Sequence, residues 1–312
     1  MIETLDVPTP VPWLARLGRV VVAAGRRPAL WLAAPSALLF LVFFVAPLGW
    51  MLRLSTYEAG GKGQSRFYET GTFTLAHYRE IVTDPFFLKL GWVTVQVGVI
   101  ITLVTMAVAL PFAVYVYRSR GIYKRFLLMA VILPKLTNLL VLMYGVLLLL
   151  GNTGYINEAL MGAHLIAQPL PLFANLAALV FGEVLIVLPY PILMLVAAME
   201  SMDPSLEEAA QSLGAAPLRA FYETVIKLMA PALMTSTLVT LIWGFGAFVA
   251  PTILGSPDYY TIAIEVYTET LENVKWPLGA ALATVYVAFI TLMVAGALTI
   301  QRHAQRRWGG AA

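Results

Sequence analysis

The sequence predicts an all-α integral membrane protein with six transmembrane helices. Hydrophobic residues make up 60% of its 312 residues and charged residues only 12%, whereas soluble domains are about 25% charged. An apolar run of about 18 or more residues can cross the hydrocarbon core of a bilayer as a helix. Six such runs are present, at 29–52, 90–117, 126–150, 172–199, 228–254 and 277–300. We therefore expect a tail (1–28), a six-span domain (29–300) and a second tail (301–312).

The orientation of the six spans is predicted by the basic residues between them. The first run lacks a small-residue cleavage site, so we expect it to be retained as a span. Alternate connecting segments hold 13 and 6 basic residues, and Lys135 lies inside the third run. Basic residues collect on the cytoplasmic side of membrane proteins. We therefore expect a multi-pass protein of a bacterial inner membrane with both termini in the cytoplasm.

Lys135 and Glu183 are the only charged residues inside the six runs. At about 1.5 Å per helical residue, Lys135 lies about 14 Å from the start of the third run and Glu183 about 17 Å from the start of the fourth. Charges at such depths face the bundle interior or a water-filled pathway, and often pair with one another. Two interpretations stay open: a structural Lys135–Glu183 pair, or a Glu183 that faces a pathway and meets a cationic solute.

The segment 201–227, between the fourth and fifth runs, is polar and predicts a bent finger of two short helices. Asp203 suits the N-cap position, Pro204 the first helical position and Gly214 the left-handed residue that ends a helix. We expect the first helix over 204–213 and a second helix that opens at Pro217 and runs towards the fifth span.

Each finger helix has one narrow apolar face and an acidic remainder. Apolar residues recur at helical spacing in both helices: Leu206, Ala209, Ala210 and Leu213, then Leu218, Phe221, Tyr222 and Val225. Helices that lie on an anionic membrane surface are usually rich in Lys and Arg, whereas this segment holds Glu207, Glu208 and Glu223. We expect the finger to dock into a cleft of another protein on the cytoplasmic side.

The finger and six further segments resemble a known family. "EAAQSLG" (208–214) is similar to the E-A-A-x-x-x-G loop in the membrane subunits of binding-protein-dependent ABC importers. From about residue 73 to 283 the chain looks like the polyamine (spermidine/putrescine) branch of that family. The matching segments are "FTLAHYREIVTDPFF", "ALPFAVYVY", "ILPKLTNLLVLMYG", "NTGYINEAL", "DPSLEEAAQSLGA", "FVAPTILG" and "KWPLGAALA".

The resemblance implies a type I importer permease fold whose loop is a coupling helix for a cytoplasmic ATPase. It implies four partners: ATP-binding cassette subunits, a second permease, an extracytoplasmic solute-binding protein and membrane lipid. The implied coupling residues are Glu207, Glu208, Ala209, Ala210, Gly214, Leu218 and Phe221. Apart from the resemblance, the candidates for the translocation pathway are Lys135 and Glu183, because of their charge at membrane depth, together with Asn138 and Tyr144.

The sequence also departs from the branch. Lys227 stands where relatives usually have a proline, which predicts a straighter junction with the fifth span, and Leu142 stands where an arginine is usual. Lys135 and Glu183 occupy positions that are ordinarily apolar. The resemblance favours polyamines as the solute, and because of these departures an opine, an amino acid or a phosphonate stays an alternative.

Other functional classes have little support in the sequence. The chain has no cysteine and three widely spaced histidines, so we expect no metal site, no cofactor and no intramembrane enzyme. A net charge of +3 reflects the orientation bias and indicates no nucleic-acid partner. A self-powered secondary transporter would need more charged groups at membrane depth than two. The stretch "AGGKGQS" (59–65) lacks the P-loop spacing, so ATP hydrolysis is expected in a separate subunit.

Overall fold

The computed structural model describes residues 27–60, 68–69 and 71–308. Four helices in these residues are long and apolar enough to cross a membrane: Ala33–Leu54, Pro85–Arg118, Leu139–Gly162 and Trp276–Gln301. Two bent helix pairs also pass when each is counted as one span, namely Leu176–Val187 with Pro189–Glu200 and Pro217–Ile226 with Ala230–Phe245. The all-α membrane fold is confirmed. Most of the N-terminal tail and the stretch "AGGKGQS" beyond residue 60 lie outside the described residues.

The described chain divides into two units, at Leu54 and Ser55. The first unit is one helical rod made of α1 (Arg27–Phe40), a π-helical segment (Leu41–Val45) and α2 (Ala46–Leu54). From residue 38 to 45 every side chain of this rod is large, apolar and exposed. Such a surface is what a lipid-facing helix presents.

The second unit contains the remaining helices and one short hairpin. The hairpin pairs β1 (Glu58–Ala59) with β2 (Tyr68–Glu69) in antiparallel fashion. Before the finger lie α3 (Ala76–Thr83), α4 (Pro85–Arg118), α5 (Gly121–Leu136), α6 (Leu139–Leu150), α7 (Tyr155–Gly162), α8 (Leu176–Val187) and α9 (Pro189–Glu200). From the finger onwards lie α10 (Ser205–Ser212), α11 (Pro217–Phe221), α12 (Ala230–Phe245), α13 (Val249–Leu254), α14 (Ile262–Tyr267) and α15 (Trp276–Trp308).

Three apolar runs that we expected to be continuous helices are interrupted. The run 126–150 breaks between α5 and α6, because Pro134 offers no N–H and Asn138 starts a new helix by accepting a hydrogen bond from the Leu140 N–H. The run 172–199 bends by 45° at Leu188, where Pro189 follows. The run 228–254 is α12 and the separate α13, divided at Gly246.

The core of the second unit forms where α4 packs against α9 and α12. Its finger-side part is lined by Ala109, Ala113, Val116, Ile192, Leu195, Met199, Val225 and Met229, all of which are buried. Further along, α4 and α12 approach so closely that a β-carbon on Gly244 would lie 2.8 Å from the carbonyl oxygen of Gly98. Glycine at both positions is therefore a condition of this helix contact.

Candidate functional site

The first finger helix is α10 (Ser205–Ser212), one residue shorter at each end than the predicted 204–213, and Pro204 occupies the N-cap position that was expected for Asp203. Asp203 accepts a hydrogen bond from the Ser205 N–H at 2.9 Å, and hydrogen bonds from Ser205 lower the pKa of the Asp203 carboxyl. At the other end the Ala215 N–H donates to the Ala210 carbonyl and the Gly214 N–H to the Gln211 carbonyl. These two bonds form a Schellman motif. Gly214 has a φ of +90°, which confirms the expected left-handed residue.

The second finger helix is α11, continued by a π-helical segment (Tyr222–Ile226). Pro217 occupies its first turn, as the sequence predicts. The helix then bends by 69° into α12, so the expected straighter junction at Lys227 is wrong. Met229 leaves the helical conformation with a ψ of 3°, and Pro231 in the first turn of α12 provides no N–H to continue the preceding helix.

Arg118, the last residue of α4, holds both finger helices. Its guanidinium pairs with the Glu207 carboxylate at 3.0 Å and lies over the ring of Phe221, 4.9 Å from the centroid. Nearby, the Lys124 ammonium pairs with Glu200 at the end of α9. Basic residues that predict orientation thus also fix the base of the finger, a role that sequence reasoning missed because the partners are distant in the chain.

The predicted coupling residues divide into two groups. Glu207 and Phe221 face Arg118 of the same chain, as described above. Glu208, Ala209 and Gly214 are exposed, and the apolar tip residues Leu213 and Leu218 are 90% and 82% exposed. Among the described residues these two leucines are therefore left almost uncovered, one on each side of the corner between the two finger helices.

Lys135, in the last turn of α5, contacts aromatic rings. Its ammonium lies 4.1 Å from the centroid of Tyr190 and 4.9 Å from that of Trp243. In the part of the chain that the structure describes, no ion pair joins Lys135 to Glu183. The direct pair that we considered is therefore not formed, because the ammonium is turned to the two rings.

Glu183 lies on α8 and is only 3% exposed. Its Oε2 atom is buried without a hydrogen-bond partner among the described residues, and Lys135 is the charged group close enough to act on it electrostatically. An unpartnered carboxylate at this depth is costly. The position thus has the features of a functional residue rather than of a structural ion pair.

The two remaining candidates are placed differently. Asn138 caps α6, and its amide oxygen is engaged by the Leu140 N–H at 2.9 Å. Tyr144 lies two turns further along α6 with an exposed side chain. Asn138 lies at the start of α6 and Tyr144 within it, so both belong to the helix that follows the break after Lys135. No cluster of three or more possible metal ligands is present in the described residues.

These features define a class of protein: a helical membrane protein with a capped two-helix finger and an ionisable residue buried inside one of its apolar runs. Residues 106–309 match the family described as binding-protein-dependent transport system inner membrane component. The chain belongs to this family of ABC importer permeases.

Three curated relatives agree with this assignment. The spermidine/putrescine transport system permease protein PotB of Haemophilus influenzae is 28% identical over 82% of this chain and 88% of its own length. Its Escherichia coli counterpart is also 28% identical, over 71% of this chain and 80% of its own length. The inner membrane ABC transporter permease protein YdcU of Escherichia coli is 31% identical over 72% of this chain and 75% of its own length.

Two solved structures have the same fold. One is a crystal structure of a bacterial ABC transporter involved in the import of the acidic polysaccharide alginate, with a TM-score of 0.71, 17% identity, and coverage of 92% of this chain and 99% of the other. The second is a bacterial alginate transporter in complex with a pentasaccharide-bound periplasmic protein, with a TM-score of 0.72, 15% identity, and coverage of 93% and 98%. The type I importer permease fold that the resemblance implies is confirmed.

Proposed function

We propose that this permease moves a small cationic solute of the polyamine type from a binding protein to the cytoplasm, driven by separate ATPase subunits. The observation that carries the cationic preference is the buried, unpartnered carboxylate of Glu183. A carboxylate in a low-dielectric pathway attracts a cation and repels an anion. Relatives named for spermidine and putrescine transport support the same choice.

Uptake assays test the solute. The assembled complex is reconstituted with its binding protein in liposomes, and uptake of labelled putrescine and spermidine is compared with that of an opine, an amino acid and a phosphonate. We expect ATP-dependent uptake of the polyamines and about tenfold less with Glu183→Gln, since hydrogen bonds to charged groups contribute about 1.5–3 kcal/mol. Efficient uptake of the phosphonate alone contradicts the proposal.

The finger is proposed as the contact with the ATPase. Leu213 and Leu218 provide an exposed apolar tip, and Glu208 adds a charge beside it. The Schellman turn and the Arg118 contacts hold the two helices in one arrangement. A finger of fixed shape transmits the closure of a docked ATPase to α12, which continues from it.

The orientation is proposed with the finger and both termini in the cytoplasm and a second permease chain beside this one. The distribution of basic residues supports it. Because the chain contains no cysteine, single cysteines test it directly: Gln211→Cys on the finger and Ser65→Cys, at a position outside the described residues. In intact cells, a membrane-impermeant maleimide should label only Ser65→Cys, and the reverse pattern refutes both the orientation and the docking.

A further inference from the structure

A cation site is formed where three interrupted helices meet. Lys135 lies in the last turn of α5, Tyr190 follows the bend at Leu188, and Trp243 lies in the last turn of α12. The rings of Tyr190 and Trp243 are stacked, with centroids 5.0 Å apart and an interplanar angle of 22°. The Lys135 ammonium lies within cation–π distance of both rings.

The three residues share one depth in the membrane. Counted from the helix ends nearest the finger, at about 1.5 Å per residue, they lie about 15 to 21 Å along their helices. In a hydrocarbon core about 30 Å thick this is near the middle. Interrupted backbone at such a depth is tolerated where it is buried in protein or lines a water-filled cavity.

The site is open to the surface of this chain. Trp243 is 39% exposed, and Tyr190 and Lys135 are half-buried. A charged ammonium at mid-depth does not face lipid, because a charge in hydrocarbon is costly. Such residues face a bundle interior or a water-filled cavity, so a solute in such a cavity can reach the open side of the site.

The chemistry of Lys135 indicates the ligand. A lysine side chain ends in a primary ammonium on a flexible methylene chain, which is also how an aliphatic diamine ends. We propose that the stacked Tyr190–Trp243 pair is an alkylammonium-binding site on the translocation pathway, occupied in this structure by the tethered ammonium of Lys135. A solute ammonium that enters the site displaces Lys135. This inference rests on the proposed function in taking the solute to be cationic.

Glu183 completes the arrangement. It lies seven residues before Tyr190, about 10 Å along the helix axis, and within electrostatic reach of Lys135. When an incoming ammonium takes the rings, the displaced Lys135 side chain is free to move towards the carboxylate. The negative charge of Glu183 also attracts the second ammonium of a solute whose first ammonium occupies the rings, so the two positions together favour solutes with two charges.

Binding to the assembled complex, with both permeases and the ATPase subunits in nanodiscs and without the binding protein, tests the inference. Two probes are titrated: putrescine, and the monovalent n-butylammonium, which can occupy only the rings. Lys135→Met removes the tethered competitor, so both probes should bind about tenfold more tightly. Trp243→Leu and Tyr190→Leu should each weaken binding about tenfold, the order that a desolvated cation–π contact supplies.

Matched variants separate the site from general damage. Tyr190→Phe keeps the ring face and should bind both probes within about twofold of the parent. Trp92→Leu removes an exposed tryptophan of α4 and should change nothing. In the double variant Lys135→Met/Trp243→Leu, the gain in affinity that Lys135→Met gives alone should be lost. Where Trp243→Leu does not assemble, Trp243→Phe replaces it, with a loss of about threefold because phenylalanine attracts cations less than tryptophan.

The outcomes distinguish this inference from the proposed function. If the parent transports putrescine but Lys135→Met and the ring variants bind both probes as the parent does, the aromatic site is wrong and polyamine transport stands. If the affinities of the variants for n-butylammonium fall in the expected order while the parent transports no polyamine, the aromatic site is supported and the proposed solute is wrong. If Lys135→Met assembles and binds either probe more weakly than the parent, displacement is refuted.

Discussion

The finger and the buried site around Glu183 and Lys135 differ in which groups the structure leaves without partners. In the finger, polar groups are satisfied by local bonds, Asp203 to Ser205 and Gly214 to Gln211, while apolar Leu213 and Leu218 are left exposed. At the buried site, Glu183 is 3% exposed and its Oε2 lacks a hydrogen-bond partner among the described residues. The finger therefore leaves apolar surface uncovered, whereas the buried site leaves one polar atom without a partner among the described residues. A protein surface would cover the first and a cation would neutralise the second, which is the basis of the two proposals above.

The largest expected effect is in the finger. Gly214→Val places a β-branched residue at a φ of +90°, which costs about 1–2 kcal/mol and redirects the second helix relative to the first. We expect uptake by the complex to be abolished while insertion and assembly are retained. Gly214→Asn is the matched control, because asparagine tolerates the left-handed conformation and should keep most of the uptake. Equal uptake by parent and Gly214→Val refutes the role of finger geometry.

The next effect contrasts two buried carboxylates. Glu183→Gln should lower cation uptake about tenfold without lowering the melting temperature of the complex, because a costly unpartnered charge is removed. Glu269 is the control: its Oε2 is likewise buried without a hydrogen bond among the described residues, yet it forms an ion pair with Lys275 at 3.3 Å, and Oε1 accepts a hydrogen bond from Asn273. Glu269→Gln should therefore lower stability and leave solute preference unchanged. A destabilised Glu183→Gln complex points instead to a structural role for Glu183.

A third variant tests the close contact of α4 and α12 beside the buried site. Gly244→Val places a side chain against the backbone of Gly98 at the contact of α4 and α12. Overpacking of this kind typically costs about 1–3 kcal/mol. We expect a lower melting temperature of the complex. Uptake should fall only as far as the fraction of folded complex falls. Gly145→Val, on a helix where a β-carbon meets nothing within 4 Å, is the control. An unchanged melting temperature for Gly244→Val rejects the close helix contact.

The smallest effect is expected at Arg118. Arg118→Ala removes an exposed ion pair with Glu207 and a cation–π contact with Phe221, each worth about 1 kcal/mol or less. The finger should still form, because the hydrogen bonds that cap its helices are local. The amount of solute taken up per ATP hydrolysed should fall about threefold. Arg118→Lys keeps the ion pair, so its uptake should lie between that of the parent and that of Arg118→Ala. A complete loss of uptake would mean that Arg118 does more than hold the finger.

Much of the finger was predictable from sequence because its determinants are local. Asp203, Gly214 and Pro217 act on backbone groups within a few residues, and the structure places the left-handed turn and the second helix where they predict, with the cap one residue later than expected. The bend before α12 was not predicted. Lys227 in place of a proline indicates a straighter junction, whereas Pro231, four residues later, provides no N–H to continue the preceding helix.

The buried site was predictable only in part. Lys135 and Glu183 are conspicuous as charges in apolar runs, but Tyr190 and Trp243 are ordinary residues of membrane helices. They become a cation site only when α5, α9 and α12 are brought together, which no local pattern specifies. The prolines at 134 and 189 were the available signals for interrupted helices, and the length of the apolar runs concealed them.

The proposed docking of the exposed finger tip into an ATPase subunit is tested by the reactivity of one introduced cysteine. Leu213→Cys, in inside-out membrane vesicles, is exposed to a maleimide with the ATPase subunits present and after they are stripped. We expect fast labelling in stripped vesicles and strong protection in the assembled complex, whereas Ser119→Cys, outside the finger, should be labelled alike in both. Equal labelling of Leu213→Cys in the two preparations contradicts the docking.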